Sequence, residues 1–299
     1  MIDEILKLKK EKNAVILAHC YQNVEIDTVA DFVGDSLYLS QMAAKTDADI
    51  IVFAGVYFMA ETAKILSPQK KVLLPRLEAG CLMADMINLQ QLREFKSKHP
   101  EIPTVCYINS TAEVKSECDI CCTSSNAVKI VESLGVKEVL FVPDTYLGTW
   151  VQSQLEGVKV ITYPGFCPTH LRITPEDIIE QKKKYPNALV LAHPECHQAV
   201  TQLADYVGST TGIMNFAAKS DKAQFIISTE FGVVERLERD FPEKKFILVS
   251  PKAVCPNMKW HHLEDILNSL KYEQYEINVD EQIAKKAVNC ISRMLEVSK

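Results

Sequence analysis

One spacing recurs three times along this chain and constrains its fold more than any single motif. The stretch AVILAHCYQNVEIDTVADFVGDS, Ala14 to Ser36, runs from an apolar segment to His19, then to Asp31, then to Ser36. VCYINSTAEVKSECDICCTS repeats the pattern as Tyr107, Asp119 and Ser124, and VLAHPECHQAVTQLADYVGST repeats it as His193, Asp205 and Thr210. The outer spacing is 17 residues and the inner one 12 in every copy. Self-similarity at a fixed period marks an internally repeated architecture.

The second half of each unit keeps phase as well. DIIVFAG, FMAETAKIL and KKVLLP read as strand, helix and strand before a loop that delivers Cys81. EVLFVP, YLGTWVQSQL and VKVITYP lead to Cys167; QFIIST, GVVERLERDF and KKFILVS lead to Cys255. The three cysteines stand 62, 60 and 62 residues after His19, Tyr107 and His193. Around a pseudo-threefold axis, equivalent positions converge, and three thiols would then face one point.

Each unit opens with an amphipathic helix pattern: IDEILKLKKEKN, LQQLREFKSKHP and PEDIIEQKKKYP. Apolar positions recur at helical spacing, and lysines gather in the last turn, where cations suit the helix dipole. These lysine runs read as solvated helix ends. The strands are apolar at nearly every residue, as in parallel strands covered on both faces. Strands alternating with helices imply α/β units with right-handed crossovers. The expected fold is therefore α/β, three homologous αβα three-layer repeats over residues 1–87, 88–173 and 174–260. Residues 261–299 form a C-terminal extension packing back on the fold, with HHLEDILNSLKY, YEINV and a final helix, EQIAKKAVNCISRMLEVSK, closing it.

With 299 residues the chain can bury roughly 75% of its unfolded surface, so it needs no disulfides. Its formal net charge of −6 argues against nucleic acid or an anionic membrane surface as a partner. The opening helix has no long apolar core of a signal peptide, and no apolar run reaches the ~20 residues of a membrane span. Ten cysteines without an export signal read as reduced thiols or metal ligands. These features point to a cytoplasmic globular protein.

Three in-phase thiols leave two metal readings open beside the plain one of small loop residues. A structural zinc normally takes four protein ligands, so three cysteines leave it incomplete. A [4Fe–4S] cluster held by three cysteines keeps one iron open, which can act as a Lewis acid. Cys118, Cys121 and Cys122 resemble a metal motif by spacing, yet they align with Ala30, Val33 and Gly34 and with Ala204, Val207 and Gly208. Those are core positions, and Cys106 aligns with Ala18 and Ala192 in the same way.

His19, Tyr21, Tyr107, Asn109, His193 and Glu195 fall at the carboxyl ends of the expected parallel strands, where open α/β sheets bind ligands. Ser36, Ser124 and Thr210 each precede a helical pattern, an N-cap context. Three converging helix N-termini would also attract carboxylate or phosphate, which lets an acidic chain hold an anionic substrate.

The pieces AHCYQ, DFVGDS, GVYFMAE, GCLMADM, YINSTAEVK, TSSNAV, HPEC, ADYVGST and AVCPNMK, in this order and spacing, resemble the quinolinate synthase family over essentially the whole chain. The resemblance implies three αβα domains around a pseudo-threefold axis and a [4Fe–4S] cluster with one open iron. It also implies condensation of iminoaspartate with dihydroxyacetone phosphate to quinolinate, with loss of phosphate and water, on the route to NAD. By the same resemblance the cluster ligands are Cys81, Cys167 and Cys255. Substrate contacts are His19, Ser36, Tyr107, Asn109, Ser124, His193, Glu195 and Thr210, and proton transfer falls to Tyr21 and Glu195 beside His19 and His193.

Partners would be small molecules, with neither nucleic acid nor membrane, together with transient contact with the enzyme that supplies iminoaspartate. Two departures from the family pattern, Cys20 in His-Cys-Tyr-Gln and Leu171 after Cys-Pro-Thr-His170, stand near the expected site. Competing readings are a cluster-dependent hydro-lyase on another small dicarboxylate, and a non-catalytic iron–sulfur sensor or zinc-stabilised scaffold.

Overall fold

A computed structural model describes residues 1–299. The first unit runs α1 (Ile2–Glu11), β1 (Ala14–His19), β2 (Phe32–Gly34), α2 (Ser36–Lys45), β3 (Ile50–Ala54), α3 (Tyr57–Leu66) and β4 (Lys71–Leu73). The second runs α4 (Leu89–Ser97), β5 (Thr104–Tyr107), α5 (Ala112–Ser116), β6 (Ile120–Cys122), α6 (Ala127–Ser133), β7 (Glu138–Val142), α7 (Thr145–Gln154) and β8 (Lys159–Thr162). After α8 (Pro168–Leu171), the third runs α9 (Pro175–Lys184), β9 (Leu189–Ala192), α10 (Gln198–Thr201), β10 (Tyr206–Val207), α11 (Thr210–Lys219), β11 (Gln224–Ser228), α12 (Phe231–Asp240) and β12 (Lys245–Leu248). Helices α13 (Leu263–Tyr272) and α14 (Glu281–Val297) end the chain.

Each unit forms its own four-stranded sheet, in the orders β2-β1-β3-β4, β6-β5-β7-β8 and β10-β9-β11-β12. Every pairing between these strands is parallel. The fold is thus α/β with three like-ordered sheets flanked by helices, as the sequence implies.

The repeated aspartate earns its spacing structurally. Asp31, Asp119 and Asp205 accept through Oδ2 the N–H of Ile16, Thr104 and Val190, at 2.8, 2.7 and 2.7 Å. Each aspartate N–H returns to the carbonyl of that same strand residue, at 2.9, 3.0 and 2.8 Å. This clasp sets the distance from the central strand to its edge neighbour in every unit.

Side chains alternate across the sheets, as strand geometry requires. Leu17, Ile51 and Phe53 face one core cluster; Ile16, Val52 and Ala54 face another, shared with Ile5 of α1 and Ile266 and Leu270 of α13. The third sheet separates Val190 and Ile226 from Leu191, Phe225 and Ile227 in the same manner. Each fully buried Leu, Ile, Val or Phe side chain among these contributes about 1.5–3 kcal/mol of transfer free energy.

The chain's last part covers what the repeats leave open. Leu74 donates its N–H to the Tyr275 carbonyl at 3.1 Å and Ile277 donates to Val72 at 2.8 Å, so YEINV adds an antiparallel edge beside β4. Helix α14 buries Ala287, Cys290, Ile291 and Met294 in the core shared with α3, α5 and β6. Cys106, Cys121 and Cys122 are fully buried there, Cys118 is half-buried against it, and Cys121 Sγ lies 3.2 Å from Cys290 Sγ. No helix is long and apolar enough to cross a membrane.

Candidate active site

The central strands β1, β5 and β9 end at one cavity, which the strand-end residues His19, Tyr107 and His193 line. Tyr21, Asn109 and Glu195, two positions further on, line it as well. His19 Nδ1 accepts the Tyr21 N–H at 3.1 Å, and His193 Nδ1 accepts the Glu195 N–H at 3.3 Å. With Nδ1 occupied as acceptor, each neutral ring carries its proton on Nε2. Burial lowers His19 to about 4 and His193 to about 3.

Glu195 is the hub. Its Oε1 accepts the Tyr107 hydroxyl at 2.5 Å, and its Oε2 lies 2.7 Å from His170 Nδ1 and 3.9 Å from His193 Nδ1. Burial alone would raise this carboxyl; the His193 and His170 rings and the Tyr107 hydroxyl outweigh it and hold it below the ordinary carboxylate range. His193 Nε2 lies 3.2 Å from Ser124 Oγ, so a hydroxyl, an imidazole and a carboxylate follow one another across the cavity. Burial and the Glu195 charge push the Tyr21 and Tyr107 phenols well above their usual value, so both are neutral donors.

Ser36, Ser124 and Thr210 also line this cavity, but not as helix caps. The N-caps of α2 and α11 stand one residue earlier: Asp35 Oδ1 accepts the Tyr38 N–H at 3.0 Å, and Ser209 Oγ accepts the Gly212 N–H at 3.1 Å. A cap needs extended backbone and an oxygen turned back over the first turn. Asp35 and Ser209 meet that requirement, which leaves the Ser36 hydroxyl free for the cavity and lets Thr210 Oγ1 meet Tyr21 Oη at 2.9 Å. In the second unit the cap is Asn126, two residues past Ser124, and its side chain accepts the Thr123 N–H at 2.6 Å instead. Asp35 does more than cap: its Oδ2 accepts Ser125 Oγ at 2.9 Å and Thr211 Oγ1 at 2.7 Å, joining the three units.

Cys81, Cys167 and Cys255, all half-buried, line the same cavity. A repeated hook sets their phase. The first N–H of α3, α7 and α12 (Tyr57, Thr145, Phe231) bonds the carbonyl two residues before each cysteine (Ala79, Gly165, Ala253), at 2.8, 2.8 and 2.9 Å. Each cysteine then starts a short turn whose amides, from Ala84, His170 and Met258, approach its sulfur and favour the thiolate. Burial dominates nonetheless, raising Cys81 to about 12, Cys255 upward and Cys167 well above its usual value. A positive metal centre is what such thiols need to become thiolates.

Cys167, His170 and Glu195 form the one set of three donors whose ligand atoms all lie within 4.8 Å of one another. Both nitrogens of His170 are already engaged, Nδ1 by Glu195 and Nε2 by Thr229 at 2.9 Å. The set includes one of the three in-phase sulfurs, Cys167.

Every site residue expected from the spacing lines this one cavity. Neither Cys20 nor Leu171 does: Cys20 is buried elsewhere, and its carbonyl accepts Arg236 Nη1 at 2.7 Å. His170, Thr229, Asp35 and Glu230 also belong to the site or its wall, and no repeat spacing singles them out. Glu230 accepts the Cys255 N–H at 3.2 Å and the Gly232 N–H at 2.6 Å, fixing the third cysteine loop.

Three like-ordered parallel α/β units that share one cavity of thiols, imidazoles, phenols and a carboxylate define a triplicated α/β protein with a single shared polar site. The family described as Quinolinate synthetase A protein matches residues 3–296. The chain is 53% identical over 297 residues to a quinolinate synthase of Alkaliphilus metalliredigens, covering 99% of this chain and 98% of that one. It is 56% identical over 294 residues to one of Dehalococcoides mccartyi strain CBDB1 (98% and 97% covered). A Quinolinate synthase 2 of Methanosarcina acetivorans is 53% identical over 296 residues (99% and 95% covered). The chain belongs to the quinolinate synthase family.

Proposed function

We propose that this protein condenses iminoaspartate with dihydroxyacetone phosphate to quinolinate, releasing phosphate and water, in cytoplasmic NAD biosynthesis. The observation that carries the reading is the meeting of all twelve in-phase residues, one set from each unit, at a single cavity. In this reading the repeats span 1–87, 88–173 and 174–260, and each contributes one cluster cysteine. Iminoaspartate, an imine that water hydrolyses, would arrive by transient contact with the enzyme that makes it.

Cys81, Cys167 and Cys255 would hold a [4Fe–4S] cluster. Three thiols, one from each unit, line one cavity, a donor set that suits a cluster with one open iron. When bound, the cluster supplies a Lewis-acidic iron without a thiolate partner. The remaining chemistry falls to the chain itself. His19 and His193 present Nε2–H groups to substrate oxygens, and Ser36 and Asn109 offer neutral hydrogen bonds to carboxylate and phosphate, with Thr210 beside them bonded to Tyr21 Oη at 2.9 Å. His193 Nε2–H reaches Ser124 Oγ at 3.2 Å, which leaves the serine O–H to substrate, and Tyr107 holds Glu195 in place at 2.5 Å. Tyr21, a phenol held neutral by burial, is the second proton-transfer group.

Protein purified and assayed without oxygen tests the reading. Quinolinate should form only when both substrates are present. Turnover of a dicarboxylate without dihydroxyacetone phosphate would instead mark a hydro-lyase, and no turnover with a bound cluster would mark a sensor.

A further inference from the structure

Thr229 stands directly after β11 and is fully buried, behind the cavity wall, where it touches two residues that do line the cavity. Its Oγ1 lies 3.0 Å from Tyr21 Oη and 2.9 Å from His170 Nε2. The corresponding positions of the other two units are Gly55 and Pro143, so no repeat equivalence calls for a hydroxyl here. A lone buried threonine would ordinarily bond its own backbone. This one bonds side chains from the first and second units instead.

The donor at each step follows from its neighbour. His170 Nδ1 faces Glu195 Oε2 at 2.7 Å, with Cys167 Sγ at 3.3 Å on the same side, and an ionised carboxylate can only accept. A His170 proton therefore sits on Nδ1, and in that tautomer Nε2 is the acceptor. The ring stacks on His193 at 4.7 Å between ring centres, with 22° between planes. Thr229 must then donate to His170 Nε2, which leaves its oxygen to accept the Tyr21 hydroxyl. Tyr21 Oη in turn accepts from Thr210 Oγ1 at 2.9 Å. The O–H bond of Tyr21 thus points into the wall, and its oxygen lone pairs face Thr210 and the cavity.

We propose that Thr229 is a positioning residue for proton transfer: through His170 it links the Tyr21 hydroxyl to Glu195, so that Tyr21 takes a proton from substrate as it passes its own along this line. The substrate proton goes to Tyr21 Oη, the phenolic proton to Thr229 Oγ1, the threonine proton to His170 Nε2, and the Nδ1 proton to Glu195 Oε2. Each of the three middle groups gives one proton and takes one, so none changes charge. The single net transfer runs from substrate to the Glu195 carboxylate, and the reverse passage returns a proton to a departing oxygen. This arrangement lets a phenol of raised pKa serve as a base without becoming a phenolate. It rests on the reading of Tyr21 as a proton-transfer group.

The test compares Thr229→Val, Thr229→Ser and Tyr21→Phe, with the Tyr21→Phe/Thr229→Val double variant, all as anaerobic iron-loaded protein. Thr229→Val should lower kcat by about 10-fold or more, with KM, iron content and melting temperature near those of the unaltered protein. Thr229→Ser should restore kcat together with the solvent deuterium isotope effect that Thr229→Val loses. In the Tyr21→Phe background, Thr229→Val should cost nothing further. A normal kcat in Thr229→Val, an equal loss in both backgrounds, or failure of Thr229→Ser to restore kcat would overturn the relay while leaving Tyr21 as a proton-transfer group. A normal kcat in Tyr21→Phe would overturn both.

Discussion

His19 and His193, 174 residues apart in the chain, make the same bond: each ring Nδ1 accepts the backbone N–H two residues further on, at 3.1 and 3.3 Å. The repeat therefore fixes a tautomer as well as a position, and two Nε2–H donors face one cavity. Burial keeps both rings neutral, His19 lowered to about 4 and His193 to about 3.

That neutrality sets a pH dependence. A histidine whose folded-state pKa is depressed binds its proton more readily when unfolded, so stability rises with pH between the folded and unfolded values. Stability should be fully present above about pH 6.5 and fall as pH drops through the range toward 4 and 3, by on the order of several kcal/mol in total. His261, lowered to about 4 by burial, acts in the same direction. Denaturant unfolding between pH 7 and pH 4 measures this. A His19→Gln/His193→Gln protein should show a flatter profile over that range.

The loop that carries Tyr21 is held from the third unit. Arg236, 1% exposed, donates to the carbonyls of Cys20 at 2.7 Å and Gln22 at 3.1 Å, and pairs with Asp27 at 2.5 Å. Lys259 donates to the Tyr21 carbonyl at 2.7 Å. Arg236→Met would strand two carbonyls and weaken the pairing of Asp27, which keeps Arg239 at 2.7 Å. We expect a loss of about 3 kcal/mol in unfolding free energy and a lower kcat at unchanged iron content.

Tyr21→Phe should retain iron and lower turnover by roughly 10²-fold, the usual size of an acid/base contribution. Steady-state kinetics under anaerobic conditions measure it. Near-normal turnover would remove Tyr21 from the chemistry.

Much of this architecture is legible in the sequence because two devices repeat with it. The Asp31, Asp119 and Asp205 clasps and the hooks at Ala79, Gly165 and Ala253 lock equivalent residues to equivalent places. In-phase residues consequently arrive together. His170, Thr229 and Asp35 escape such reading because they act across units, where the repeats differ. Asp35 bonds Ser125 and Thr211, and Thr229 bonds Tyr21 and His170, contacts that no single unit's pattern encodes. The caps were displaced by one residue in α2 and α11 for a related reason: the hydroxyl nearest the helix serves the cavity, and its predecessor closes the turn.

Iron and acid-labile sulfide per chain, measured across single cysteine variants purified without oxygen, test the three-cysteine cluster most directly. Unaltered protein should hold about four of each. Cys81→Ala, Cys167→Ala and Cys255→Ala should each lose the cluster and the activity together while remaining folded. Cys118→Ala and Cys122→Ala, at core positions, should keep full iron and cost on the order of 1 kcal/mol as small cavities; Cys121→Val should also keep its iron. Loss of iron from Cys121→Val with retention in Cys167→Ala would contradict the three-cysteine cluster and move the metal to the Cys118–Cys122 segment.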